Sequence, residues 1–226
     1  MRAYSGVPHP LVDGWSSTIE AHPARQAVAF HYHDVDEWLE VLRGEITFFP
    51  LRGDGCRVAV GGALRIPRGE VHRADIGDDG VEYRMHLPVA IPADFGKRLT
   101  ADEIALLQSN LEWPVQEDTG GDEAAAFFED ALSASLAFAR ANGTVVDKRG
   151  FLKDGFTLRD RSAPGTVRVL NQKKDFLLIS ILVTTGTGGT APQSSANLRV
   201  LVNEGGTWRC RMWMNVPEAA GPAGWL

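Results

Sequence analysis

His31, His33, Glu37 and His72 are the residues of this chain best spaced to do chemistry together. Side chains two apart on a strand share a face, so His31 and His33 can enter one cavity while Tyr32, between them, points the other way. Glu37 keeps their parity, and His72 can join from a strand paired alongside. Three imidazoles and one carboxylate suit one divalent transition metal per chain (Fe, Mn, Ni, Zn or Cu), with coordination positions left open. Such an ion would polarise a chelating small molecule or bring dioxygen to it.

The turns around these residues follow a pattern. His31-Tyr32-His33, Glu37 and Gly44 fit His-x-His, three or four residues, Glu, six residues, Gly. Gly61, Pro67, Gly69 and His72 fit Gly, five residues, Pro-x-Gly, two residues, His. Together they resemble the two motifs of the cupin family. The resemblance implies a small β-barrel, or jelly roll, in which His31, His33, Glu37 and His72 ligate the metal. The family's Asn after the last histidine is absent, and Asp75 stands near its place.

The elements that would position these groups are short strands punctuated by turns from Ala27 to about Leu87, with Arg52-Gly53-Asp54-Gly55 and Gly77-Asp78-Asp79-Gly80 as strong turn signals. Many short strands at this spacing suit a barrel or double-sheet jelly roll. Tyr83 and Met85 share a parity on one of them and can line the pocket, as can His86. His9 and His22, beside prolines, read as surface residues of an N-terminal arm.

The chain has 226 residues, 44% hydrophobic and 23% charged, with a net charge of -6. That is enough for one large domain or two small ones, each with its own core, and the acidic balance argues against nucleic acid or an anionic membrane as partner. Two cysteines, Cys56 and Cys210, make no disulfide framework. The first residues lack an apolar signal core, which favours a cytoplasmic protein.

The character changes after Leu87. Thr100-Ala101-Asp102-Glu103 reads as a capping box for a short helix to about Asn110, and 114–121 as a linker. The expected division is a barrel over 1–92, a linker with its short helix over 93–121, and a second domain over 122–226. That domain opens with an amphipathic helix from Ala124 to Ala141, capped by Asn142-Gly143, then a short helix from Lys148 to Leu152. Strands follow over 167–170, 175–185, 195–203 and 207–215, with Gly186 to Gly189 as a hairpin loop. The fold class is mostly β in the first half and α+β in the second.

The second half, through Phe138 to Val146, Lys148, Phe151-Leu152, Asn197 to Arg199 and Trp208 to Asn215, resembles the SnoaL-like, or nuclear-transport-factor-like, α+β cone. The resemblance implies either a pocket or a dimerisation module, and a homodimer is expected. A three-residue loop Glu204-Gly205-Gly206 would set Asn203 against Thr207. Asn197, Arg199, Leu201, Arg209, Arg211, Trp213 and Asn215 then share one face, either solvated or lining a pocket, and Asn197, Arg199, Trp213 and Asn215 are its pocket candidates. The opposite, apolar face would be core or core plus dimer interface. Asp147, Asp154 and Asp160 read as turn acids. Two functions stay open: a metal-dependent enzyme acting on a small molecule (dioxygenase, isomerase or lyase), or a noncatalytic module that binds one.

Overall fold

The computed structural model describes residues 2–4, 15–88, 95–153, 160–187 and 190–217; His9, Asp154, Gly188 and Gly189 lie outside them. The chain divides into two compact units, Met1–Ile104 and Ala105–Leu226.

The first unit is a single antiparallel sheet of eight strands: β1 (Arg2–Tyr4), β2 (Ser16–His22), β3 (Ala27–Tyr32), β4 (Glu37–Pro50), β5 (Cys56–Ala59), β6 (Ala63–Ile66), β7 (His72–Leu87) and β8 (Lys97–Arg98). Their order is β1-β6-β4-β7-β3-β8, with β2 also on β7 and β5 on β4. Alternate residues of β4 (Leu39, Val41, Ile46, Phe48) and β7 (Ala74, Ile76, Val81, Tyr83, Met85) meet in one buried cluster. Glu37 and His72 open these two long strands with inward parity, so the core that fixes the strands also fixes them. Both strands slip register around Gly44, which has φ +71°, and a Cβ there would stand 1.9 Å from the Gly80 carbonyl oxygen. Only glycine fits that crossing.

The second unit contains most of α1 (Ala101–Thr119), then α2 (Gly121–Ala131), β9 (Leu132–Ala139), β10 (Val145–Val146), α3 (Lys148–Lys153), β11 (Asp160–Ser162), β12 (Arg168–Lys173), β13 (Phe176–Thr187), β14 (Thr190–Glu204) and β15 (Thr207–Pro217). The seven strands run β10-β9-β15-β14-β13-β11, with β12 also on β13, and β15 lies parallel to β9.

Three expectations are corrected here. The capping box forms: Thr100 Oγ1 accepts from the Glu103 amide at 3.2 Å, and Glu103 accepts from the Thr100 amide at 2.8 Å. The helix nevertheless runs past Asn110, through Pro114, to Thr119, and so occupies most of the expected linker. The single helix over 124–141 is instead α2 followed by β9, and Asn142-Gly143 is the turn between β9 and β10, with Gly143 donating to the Arg140 carbonyl. Phe128, Leu132 and Leu136 are four apart, a spacing that fits one face of a helix and, being even, one face of a strand equally well.

The third concerns the last hairpin. Its turn has two residues, Gly205 and Gly206, both at positive φ, and Glu204 faces Thr207. A bulge at Arg211 then restores the even pairing, so Val200 faces Met212 and Arg199 faces Trp213. Asn197, Arg199, Leu201 and Trp213 are buried, whereas Arg211 is exposed. Met212 and Met214, on the apolar face expected as core, are 43% and 36% exposed. The polar face is the buried one.

Candidate metal centre

Antiparallel pairing of β3 with β7 sets His31 opposite His72, and His33 follows one residue beyond β3. Gly69 holds that approach by donating to the His33 carbonyl at 2.8 Å. The ligand atoms of His31, His33 and His72 all lie within 4.8 Å of one another. His31 Nδ1 donates to the Ala29 carbonyl at 2.8 Å, and His72 Nδ1 to the Glu70 carbonyl at 2.9 Å. A carbonyl can only accept, so each Nδ1 carries the proton and each Nε2 keeps its lone pair.

The fourth expected residue stands beside this trio. Glu37 Oε2 lies 2.7 Å from His33 Nδ1, an ion-pair contact between two buried groups that holds the His33 ring in place. Phe95 stacks on His33 with ring centroids 4.2 Å apart. Burial, together with the neighbouring histidines, holds the His31 imidazole below its ordinary value and His72 well below it, so both stay neutral at pH 7. Two neutral imidazoles with free Nε2 atoms, a third imidazole and a buried carboxylate beside it are a donor set that suits a divalent transition metal, and these residues fit one.

The histidines line a cavity of about 520 Å³, a volume suited to a small organic molecule. Leu39, Ile46, Phe48 and Met85 supply apolar wall, and Tyr83 is also a lining residue. Tyr83 Oη donates to Glu20 at 3.0 Å and lies 3.2 Å from His22 Nε2. Burial first, then the Glu20 carboxylate, raise the phenol far above its usual range, so Tyr83 remains a donor at all ordinary pH. His86 is not among the lining residues and is paired with Ser17 at 2.7 Å.

Sequence reasoning missed Glu20, His22, Phe95, Gly96 and Arg98, all of which line the cavity. Glu20 and His22 do share a parity on β2, facing Tyr83 and Val81 of β7, but the segment carries no strand-like hydrophobic run to show it. Of the other expected pocket residues, Asn197, Arg199, Trp213 and Asn215 do come together, in the second unit. Arg199 is wholly buried between the rings of Trp113 and Trp213, 4.4 and 4.6 Å from their centroids. It donates to Asn197, while Trp213 Nε1 donates to Asn215.

No family model matches the chain, and no curated protein does. Solved structures do. The solved structures it resembles include cupin-superfamily proteins. One is the DMSP lyase DddQ from Ruegeria pomeroyi DSS-3, at 22% identity over 34% of this chain and 39% of that one, TM-score 0.31. A cupin superfamily protein from Desulfitobacterium hafniense DCB-2 matches at 12% identity over 36% of this chain and 72% of its own, TM-score 0.31. A cupin-2 domain protein from Shewanella frigidimarina NCIMB 400 matches at 17% over 34% and 72%, TM-score 0.30. The chain thus spans well under half the length of the DMSP lyase. No described helix is long and apolar enough to cross a membrane.

Proposed function

We propose that the first unit is a cupin barrel binding one divalent transition metal on His31, His33 and His72, with Glu37 completing the shell, and that it is an enzyme acting on a small molecule in the adjoining cavity. The observation that carries this reading is the pair of backbone carbonyls behind His31 and His72, which commit both Nδ1 atoms and leave both Nε2 atoms to the cluster. Bound there, the metal would act as a Lewis acid on a substrate oxygen. Within the same cavity, Tyr83 donates its phenol proton to Glu20 and lies beside His22, a polar stretch of wall that supports a small polar molecule as the occupant.

Protein purified without added metal should carry up to one transition metal per chain by elemental analysis. The cobalt(II) form should change its visible spectrum on titration with small chelating acids and turn one of them over. Saturable binding without turnover across keto acids, enols and sugars, with dioxygen present, would leave a sensing module instead. No metal and no spectral response would remove both readings.

The second unit reads as a SnoaL-like cone that makes the protein a homodimer. Its order of elements and the parallel insertion of β15 beside β9 support the fold. The outer face of its sheet supports the dimer: Leu178, Val200 and Met212 are cross-strand neighbours, as are Leu198 and Met214, and none of the five is buried.

A further inference from the structure

We propose that Arg98 makes the cavity selective for small carboxylates, its guanidinium pairing with the ligand's anionic group beside the three histidines. The inference rests on the metal reading only for where the ligand's remaining oxygens go.

Placement comes from the sheet. β8 pairs antiparallel with β3 in a register that sets Arg98 opposite His31. Directly opposed residues project to the same face, so Arg98 points where His31 points, and it lines the same cavity.

The charge inventory of the cavity singles Arg98 out. Among the described residues, three charged side chains other than histidine line it: Glu20, Glu37 and Arg98. Glu20 accepts from Tyr83, and Glu37 lies against His33. Lys97, next to Arg98, is matched by Asp34. Arg98 has no acidic or carbonyl partner among the described residues. Arg98 is exposed, so its guanidinium is open to an incoming anion.

The type of anion follows from the donors. One planar guanidinium matches one carboxylate through two parallel hydrogen bonds. A phosphate needs several cations or a row of backbone amides, whereas Arg98 is the one Lys or Arg side chain in the lining among the described residues.

The test uses malonate as the carboxylate probe and imidazole as an uncharged metal ligand, both titrated into the cobalt(II) protein and followed by its visible spectrum. Arg98→Gln should weaken malonate about tenfold or more, the scale of a lost charge-assisted hydrogen bond, and change imidazole affinity less than about twofold. Arg98→Lys should recover part of the malonate affinity. Undiminished malonate binding in Arg98→Gln overturns the proposal, as does an equal loss for both probes. If neither probe perturbs the metal, or no metal binds, the metal reading fails by itself. Calorimetric titration of malonate into metal-free protein then decides the matter: saturable binding lost in Arg98→Gln sustains the assignment, and no binding overturns it.

Discussion

Arg199 Nη1 donates to the Asn110 carbonyl oxygen at 2.7 Å, the very carbonyl whose helical partner would have been the amide that Pro114 lacks. The same nitrogen also reaches Asn110 Oδ1 at 3.1 Å. A guanidinium delivered from β14 thus takes the place of the missing i→i−4 hydrogen bond and lets α1 run through its proline. The two tryptophans stacked on either side stabilise its charge by cation–π attraction.

Replacing Arg199 with Met should therefore destabilise the second unit by about 3 kcal/mol, the scale for leaving buried acceptors without a donor. Adding Pro114→Ala should recover about 1 kcal/mol, because an alanine amide can satisfy Asn110 again. Chemical denaturation of the single and double variants measures both. Strict additivity would show that the two residues are not coupled.

Metal content should fall by at least tenfold in His72→Ala, and by roughly 10- to 100-fold in affinity in Glu37→Gln if that carboxylate orients or completes the shell. Protons compete with metal for imidazole. Since His31 and His72 both sit below the ordinary 6.5, release should reach its midpoint below that pH rather than at it. Elemental analysis after dialysis across pH 5–8 gives the curve.

Thiol labelling should separate the two cysteines. Cys210 is buried, and burial pushes its thiol up to about 12, with Arg199 pulling only partly against this. Raising the pH from 7 to 10 therefore generates no thiolate at Cys210, and labelling there should wait for unfolding, whereas Cys56 should react in the native protein. Mass spectrometry of protein alkylated at each pH reads the sites directly.

Charge placed on the outer face of the second sheet should break the proposed homodimer. Val200→Asp or Met212→Glu sets a carboxylate among Leu178, Leu198 and Met214. Sedimentation velocity should then show a monomer with its metal content intact. Wild-type protein that sediments as a monomer at all concentrations would refute the interface.

The three-histidine cluster was legible in the sequence because it depends on local parity and turns: His31 and His33 across one residue, Gly44 and Gly69 at positive φ. The rest of the cavity lining was not, since Glu20 and Arg98 arrive through register between segments distant in the chain, and Phe95 lies outside any strand. In the second unit the strands from β12 to β15 and the short α3 lie close to where periodicity puts them. The helix–strand switch at Leu132 escaped because alanine- and leucine-rich segments satisfy both periods, and pairing with β15 decides between them. The persistence of α1 through Pro114 escaped for a similar reason, since its rescue comes from a residue far along the chain.

The parallel seam between β9 and β15 sets a timetable for synthesis. Among the described residues, β9 pairs only with the two-residue β10 and with β15. Until β15 leaves the ribosome, the Leu132–Ala139 segment has almost no template for its backbone amides, and translation at roughly 5–20 residues per second makes that wait on the order of ten seconds. The barrel can complete its own sheet well before then. The nascent second unit, holding an unpaired apolar strand in the meantime, is where a chaperone would be needed.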